Sequence, residues 1–285
     1  MCAHKLDKFI RNDGVYSAIQ VGAEIHPNVD FGFLKDNTGE NVSSRNPQWS
    51  ELTALYWGWK NLKHVEYAGL SHYRRYMDVD IKEENIDRLM SGIDIMLVDY
   101  YKATDYSIVS KGLITSLSQE DFWLYIDTVL SVHPDSKEAL LKYMYDYNTF
   151  IPYTMFVAKK HLYDEFCEFL FPVIFELERR VLPHSYSRQK RIFGYFGEWT
   201  LGLFVIYKNL SYRTYNLILS GNIVKTKNHG LRRYIGNIKR RIITKISNGR
   251  NPQREFIVPE DVLTGFRADG ITLKVLGKEN KPYPL

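Results

Sequence analysis

The residues of this sequence best suited to chemistry are His72, Tyr73, Arg74 and Arg75, which directly follow the short run 67–71 (YAGLS). The run is mostly apolar and has no helical period, which predicts a buried strand. Ligands of open α/β sheets bind beyond the carboxyl ends of strands. Paired guanidinium groups bind phosphate or carboxylate oxygens through parallel hydrogen bonds. We therefore predict that this cluster binds an anionic ligand; the alternative is a solvated turn after the strand.

An Asp-x-Asp triplet at 78–80 follows the cluster, and such carboxylates can hold a divalent cation. The chain contains 17 aspartates among 285 residues, so one triplet of this kind is expected by chance. The cationic side chains that precede it can offset the charge of a leaving phosphate without a metal. The first prediction is therefore a site that requires no metal or other cofactor. The alternative is manganese or magnesium bound by Asp78 and Asp80.

Polar side chains also stand beside other apolar segments. His4 and Lys5 would follow a first strand at the amino terminus, and Asp99 follows the apolar run 93–98 (IDIMLV). Asp36 opens a loop rich in Asp, Asn and Gly. We predict that His4, Lys5 and Asp36 contact the same ligand as the cationic cluster. The alternatives are a mobile terminus for the first two and ordinary turn chemistry for Asp36.

The residues before the cluster predict the helix that supports it. Asn46 is a candidate N-cap, and Pro47 suits the first helical position, where no backbone donor is needed. Apolar residues then recur at the spacing of one helical face: Leu52, Leu55, Tyr56, Trp59 and Leu62. A stripe of this kind is expected to pack on a sheet.

Strand-like and helical patterns alternate along the rest of the body. The strands are expected at 93–98 and 149–158, and the longer helices at 118–132, 136–147, 160–180 and 194–207. This alternation predicts one α/β domain with a mixed, largely parallel central sheet flanked by helices. We assign that domain to residues 1–224, and residues 225–285 to a basic helical extension with a polar tail.

Composition limits the classes of protein. No apolar run is long enough for a membrane-spanning helix, and the amino terminus lacks the apolar core of a signal peptide. With two cysteines in the chain, a disulfide framework is not expected, and the cytoplasm is the predicted location. Residues 1–224 hold 24 lysines and arginines against 28 acidic residues. The body is therefore not basic, and nucleic acid is not a predicted partner.

The basic charge is concentrated at the carboxyl end, where residues 225–285 hold 14 lysines and arginines against five acidic residues. Within 229–250 the apolar residues fall on one helical face: Leu231, Tyr234, Ile235, Ile238, Ile242 and Ile246. Basic residues occupy the other faces. Such a helix is typical of one that lies on an anionic membrane surface. The alternative is a helix docked on the body with its lysines in water.

Several long motifs resemble a known family. They are the runs ELTALYWGWKN (51–61) and YAGLSHYRRY (67–76), together with IQVGAE (19–24), DNTGENVSSRNP (36–47), MFVAKKHLYDEFCEFLFPVIFELERR (155–180) and GYFGEW (194–199). In this order they resemble the bacterial exopolysaccharide and capsular polysaccharide biosynthesis proteins, once known only as a domain of unknown function and now regarded as glycosyltransferases. The resemblance covers most of residues 1–206.

The resemblance implies a GT-A-like domain that binds a UDP-sugar and transfers a hexose, with galactose in its pyranose or furanose form as the first guess. The expected acceptor is a lipid-linked oligosaccharide of a surface polysaccharide, at the inner face of the cytoplasmic membrane. Glu198, near a predicted helix start in GYFGEW, is the first candidate for the general base, and Asp99 is the second. A capping or ion-paired glutamate is the alternative for Glu198. A non-catalytic sugar- or lipid-binding module is the alternative for the whole chain.

Overall fold

The computed structural model describes residues 1–99, 101–102, 118–147, 149–181 and 188–224, and isolated positions beyond them. The fold of this part is mixed α/β. Its strands are β1 (Cys2–Ala3), β2 (Ile19–Gln20), β3 (Leu34–Lys35), β4 (Tyr67–Leu70), β5 (Arg75–Met77), β6 (Ile95–Val98), β7 (Tyr101–Lys102), β8 (Thr149–Phe150), β9 (Phe156–Lys159), β10 (Tyr212–Tyr215), β11 (Leu217–Leu219) and β12 (Asn222–Val224), with a separate pair β13 (Lys274–Val275) and β14 (Lys278–Glu279).

The α-helices of the described ranges are α1 (Asn46–Trp49), α2 (Leu52–Asn61), α3 (Ile86–Met90), α4 (Gln119–Val132), α5 (Lys137–Leu141), α6 (Lys160–Arg180) and α7 (Ile192–Tyr207). A π-helical turn, Lys142–Asp146, extends α5. Short 3₁₀ helices precede α1, α3, α5 and α7. The long helices agree with the predicted ones within two residues at each end. The start of α4 has a chemical cause, because the Ser118 side chain accepts a hydrogen bond from the Asp121 amide at 3.1 Å.

The main sheet is mixed, as predicted. β1, β2 and β3 are parallel neighbours, and β9 is antiparallel to both β4 and β6, while β10 is parallel to β6. The two groups of strands meet where the Cys2 amide donates to the Ser71 carbonyl at 2.8 Å and the Tyr73 amide donates to the Cys2 carbonyl at 3.0 Å. The two orders are β3-β2-β1 and β4-β9-β6-β10, joined at residues 71–73, with β9 running against its neighbours.

Both faces of this sheet are covered. Ile95 and Leu97 of β6 belong to the large core, which they share with α2, α4, α6 and α7. The alternate residues Met96 and Val98 belong to a smaller core with Met77, in β5. Successive side chains of a strand point to opposite faces, so β6 reads as a continuous apolar run because it is buried on both sides. β5, β11 and β12 form a small antiparallel sheet.

The predicted single helix from Asn46 onward is interrupted. α1 ends at Trp49, and Ser50 adopts φ 54° and ψ −126°, a conformation that is unusual for a residue with a side chain. A new helix, α2, begins at Leu52. The expectation that Asn46 is the N-cap is wrong, because Arg45 occupies that position and Asn46 is already helical. The break creates an elbow at residues 50 and 51.

The predicted strand 149–158 is also divided. β8 pairs with β7 at its beginning and β9 occupies the centre of the main sheet. Between them Tyr153 and Thr154 adopt φ values of 67° and 51°. Left-handed backbone at two consecutive residues is incompatible with a continuous strand.

Beyond residue 224, the described positions Ile235, Ile238, Ile242 and Ile246 are helical. Their exposed fractions lie between 41% and 65%. The apolar face predicted for this region is therefore present at these positions and is open to solvent, whereas the boundary at 224 stays a prediction. Within the described residues, no helix combines the length and apolarity needed to cross a membrane.

Candidate active site

The candidate site lies at the carboxyl edge of the main sheet. Leu70 of β4 and Leu97 of β6 both pair with Phe156 of β9, so β4 and β6 end at the same level. β1 ends there as well, because it pairs with the residues directly after β4. Three predicted site residues follow these strand ends: His4 after β1, His72 after β4 and Asp99 after β6.

Residues 72–75 form a tight turn at this edge. The Arg75 amide donates to the His72 carbonyl at 2.9 Å, and the His72 amide donates to the Arg75 carbonyl at 3.2 Å. The Arg74 guanidinium lies 4.7 Å from the centre of the Tyr73 ring. His72 and Tyr73 are buried, so this is not the solvated turn of the alternative interpretation. The Tyr73 hydroxyl and the Arg75 Nε are also buried, and neither has a hydrogen-bond partner within the described ranges.

The His72 imidazole is buried beside groups that favour its charged form. Its Nε2 donates to the Tyr153 carbonyl at 2.7 Å. Burial opposes the charge, but three neighbours outweigh burial and raise the pKa of His72 to about 9: the Cys2 side chain, the Glu51 carboxylate and the Tyr153 carbonyl. The strained backbone at Tyr153 thus has a local consequence, because it directs a carbonyl at this ring.

His4 connects the turn to a second source of charge. Its ring packs edge-on against Tyr73, with the ring centres 5.0 Å apart. The pKa of His4 lies below its usual value because of burial and then because of four cationic neighbours: Arg191, Lys5, Arg74 and His72. Cations from the amino terminus, from the turn and from the residue before α7 therefore converge at one edge of the sheet. Such a concentration of positive charge can bind a phosphate or diphosphate.

The elbow between α1 and α2 contacts Arg191 through Ser50 and Glu51. The Arg191 Nε donates to the Ser50 Oγ at 2.7 Å, and its Nη2 lies 3.9 Å from the Glu51 Oε2. The Glu51 side chain is buried, with 5% of its surface exposed, whereas that of Arg191 is 58% exposed. Helix α7 can approach because residue 194 is glycine, where a β-carbon would lie 3.3 Å from the Ser50 β-carbon.

Glu198 lies in the second turn of α7, which begins at Ile192, so it is further from the helix start than predicted. It is half-buried. Helical periodicity puts it on the same face as Gly194, which touches the elbow, and Gly202, which touches Tyr143. Tyr143 lies near Glu198, which contributes, after burial, to raising the pKa of that tyrosine.

A cavity of about 140 Å³ lies at the carboxyl end of α7, and neither Glu198 nor Arg191 is among its lining residues. It is lined by the π-helical turn, the end of α7 and the start of β10, through Lys142, Tyr143, Tyr147, Ile151, Gly202, Val205, Ile206, Asn209, Leu210 and Tyr212. Three of these residues are tyrosines. π-Helical turns are rare and occur often at functional sites.

Two predicted residues have firm structural contacts. Asp36 is fully buried, and its carboxylate accepts hydrogen bonds from the amides of Gly22 and Ala23 at 2.9 and 3.1 Å and from the Ser43 Oγ at 2.5 Å. These bonds indicate that Asp36 joins two loops, and its contact with a ligand stays a prediction. Asp99 is buried, and its amide donates to the Tyr215 carbonyl at 2.6 Å.

The two carboxylates of the Asp-x-Asp triplet contact different partners. Asp78 accepts a hydrogen bond from the Asn216 side chain at 3.3 Å, while Asp80 pairs with Lys82 at 3.2 Å and is 64% exposed. In the part of the chain that the structure describes, no group of three or more His, Cys, Asp or Glu side chains is arranged to hold a metal ion.

The structure adds Ser50, Glu51 and Arg191 to the residues predicted from the sequence. Glu51 opens the ELTALYWGWKN run, so its place in a motif was a usable signal, whereas Arg191 stands three residues before GYFGEW and outside it. The contact between Glu51 and Arg191 could not be predicted from the sequence, because 140 residues separate them along the chain.

The protein is a mixed α/β protein with a candidate cationic site at the carboxyl edge of its sheet. The chain belongs to the family described as domain of unknown function DUF4422, whose sequence profile matches residues 1–209. A solved structure described as the apo form of WbbM, a bifunctional glycosyltransferase, has the same fold, with a TM-score of 0.70 and 24% sequence identity. The match covers 80% of this chain and 47% of that one, so the chain spans about half of its length. No curated protein matches the chain.

Proposed function

We propose that this chain is a GT-A-like glycosyltransferase that moves a hexose from a UDP-sugar to an acceptor hydroxyl. The observation that carries the proposal is the group of cations His4, His72, Arg74 and Arg191 at the carboxyl edge of the sheet, with Glu198 two helical turns after Arg191 on α7. The strand order, with one antiparallel strand among parallel neighbours, supports the GT-A-like assignment. The fold shared with a structure described as a glycosyltransferase supports it further.

The cationic residues would bind the diphosphate. Departure of UDP leaves negative charge on the β-phosphate, and preorganised donors stabilise that charge in the transition state. Arg74 and Arg191 supply guanidinium groups, and His72 supplies a fixed imidazolium. We propose that these cations make a divalent metal unnecessary. The engagement of Asp78 with Asn216 and of Asp80 with Lys82 favours this reading over a metal at the triplet.

Glu198 would take the proton from the acceptor hydroxyl as that hydroxyl attacks the anomeric carbon. Its place on α7 supports this role, because it lies on the same helical face as Gly194, which packs against the elbow that Arg191 contacts. Asp99 is the second candidate for the base. Galactose, as pyranose or furanose, is the first donor that we propose, on the family resemblance alone.

The test is transfer and hydrolysis of UDP-sugars by Glu198→Gln, with Glu165→Gln as the matched control. Glu165 lies on α6 and pairs with Lys208 at 2.7 Å. Glu198→Gln should lower the rate by about 10²- to 10⁴-fold, the usual effect of positioned acid–base catalysis, and should leave UDP affinity within a few-fold. Near-parental transfer, or loss of UDP binding together with activity, would pass the role to Asp99 or leave Glu198 with a structural role. Binding without any turnover of a panel of UDP-sugars would indicate a non-catalytic sugar-binding module.

We also propose that the basic region 229–250 binds the anionic inner face of the cytoplasmic membrane and brings the site to a lipid-linked acceptor. The exposed isoleucines support a helix with an open apolar face. The test neutralises the basic face by changing Arg232, Arg233, Lys239 and Arg240 to glutamine. Each charge near an anionic surface is worth about 1 kcal/mol, so sedimentation with anionic vesicles should fall while UDP-sugar hydrolysis persists. Equal sedimentation of variant and parent would contradict the membrane assignment.

A further inference from the structure

The carboxylate of Glu51 has an unusual environment. Only 5% of its side chain is exposed. Within the described ranges its one ion pair is with Arg191, at 3.9 Å, its charge also acts on His72, and no hydrogen bond to its carboxylate is present there. An ionised carboxylate can accept about four hydrogen bonds, and buried charged groups are normally satisfied. Glu51 therefore retains acceptor capacity at the edge of the cationic site.

The backbone fixes where this carboxylate lies. Ser50, directly before it, adopts the strained combination of φ 54° and ψ −126°, and strain of this kind is concentrated at functional sites. The Arg191 Nε holds the Ser50 Oγ from one side. Helix α7 closes the other side, because a β-carbon on Gly194 would lie 3.7 Å from the Glu51 Oε2. The elbow thus presents Glu51 as a rigid group.

The geometry points to Glu51 as the residue that binds the sugar of the donor, by accepting hydrogen bonds from its hydroxyl groups. This inference rests on the proposed function. A carboxylate repels a diphosphate, so Glu51 cannot share the ligand atoms of Arg191 and His72. It suits the neutral part of a nucleotide sugar, whose hydroxyls are hydrogen-bond donors, and that part is bonded directly to the terminal phosphate.

A competing role makes the opposite prediction. If Glu51 only balanced the charges of Arg191 and His72, its neutralisation would strengthen the binding of every anion at the site, UDP and UDP-sugar alike. If Glu51 binds the sugar, its neutralisation should weaken UDP-sugar binding alone. The informative quantity is therefore the ratio of the two affinities for each variant.

The experiment titrates UDP, UDP-galactose, UDP-glucose and UDP-N-acetylglucosamine calorimetrically into parent, Glu51→Gln and Glu51→Asp, with Glu165→Gln as the control. For the UDP-sugar that the parent binds best, Glu51→Gln should lose about 10- to 100-fold in affinity, the usual cost of a hydrogen bond to a charged group. Its affinity for UDP should stay equal or rise. Glu51→Asp keeps the charge but withdraws it by one methylene, so it should keep UDP affinity and lose part of the preference for the sugar.

Equal changes for UDP and UDP-sugar in both Glu51 variants would overturn the assignment, whether affinity rises through charge balance or falls through a disturbed fold. Unchanged affinity for both ligands would overturn it as well. If the parent binds neither UDP nor any UDP-sugar, the proposed function fails and takes this assignment with it. The two failures are distinguishable: the parent still binds UDP if only the Glu51 assignment is wrong, and it does not bind UDP if the proposed function is wrong.

Discussion

Replacement of Arg191 by glutamine tests whether positive charge from outside the predicted cluster belongs to the site. Arg191 is the first cationic neighbour that lowers the pKa of His4, after burial, and it anchors the elbow through the Ser50 Oγ at 2.7 Å. Glutamine keeps a hydrogen-bonding side chain of moderate length but removes the charge. The expected result is weaker UDP binding by a protein that still folds.

The size of the effect follows from exposure and distance. Two unit charges 4 Å apart attract each other by about 1 kcal/mol in water and about 4 kcal/mol at the effective dielectric of a protein surface. The Arg191 side chain is 58% exposed, which puts its interaction with a phosphate between these limits. We expect a loss of about 2 kcal/mol, or about 30-fold in the dissociation constant of UDP.

The assay is calorimetric titration of UDP at two salt concentrations, with Arg179→Gln as the control. Arg179 lies on α6, is 72% exposed and pairs with Glu176 at 3.0 Å, so its loss should not alter UDP affinity. The deficit of Arg191→Gln should shrink at high salt, because screening weakens partly exposed charges. Ser50→Ala removes the anchoring bond and keeps the charge, and it should bind UDP almost as the parent does. Equal affinities of the Arg191 and Arg179 variants would refute the placement of Arg191 in the site.

Three further outcomes are expected. EDTA should leave most of the UDP affinity intact; loss on chelation with recovery in manganese would assign Asp78 and Asp80 to a metal. Asp127→Asn should lower the free energy of unfolding by about 3 kcal/mol in urea titrations, because it removes the carboxylate 2.7 Å from the buried Arg180 and leaves that guanidinium paired with Glu176 alone, at 3.0 Å. The fold raises the pKa of His72 to about 9. Protonation of His72 therefore stabilises the fold fully below its ordinary pKa, and this stabilisation is lost as pH rises through 9. The stability advantage over His72→Gln should fall by about 3 kcal/mol from pH 6 to 10; a constant difference would contradict the raised pKa.

The long helices could be predicted because their signals are local. α6 repeats its apolar residues at helical spacing over 21 residues, and most of those residues are buried. The strand β6 was equally clear, since four consecutive apolar residues end at a charged one. In each case neighbouring residues alone specify the element, and the tertiary structure agrees with the local preference.

The elbow could not be predicted, because no local signal marks it. Ser50 and Glu51 continue an ordinary helical pattern, and the break is held by Arg191, which donates to Ser50 across 141 positions of the chain. The division of the predicted strand 149–158 has the same character, with Tyr153 aimed at His72 across 81 positions. Sequence reasoning therefore missed the structure at the places where distant residues impose strain, and both places adjoin the candidate site.

The face of α7 explains how the separate groups can act on one ligand. Arg191, Gly194 and Glu198 lie near one line of the helix, and at about 1.5 Å per residue the first and last are about 10 Å apart along its axis. Gly194 lies between them and admits the elbow with Glu51. In the proposed assignment Arg191 would contact the phosphate, Glu51 the sugar and Glu198 the attacking hydroxyl, in the order in which these parts follow one another in the reaction. Because one rigid helix sets this spacing, binding the diphosphate at Arg191 would already orient the anomeric carbon towards Glu198.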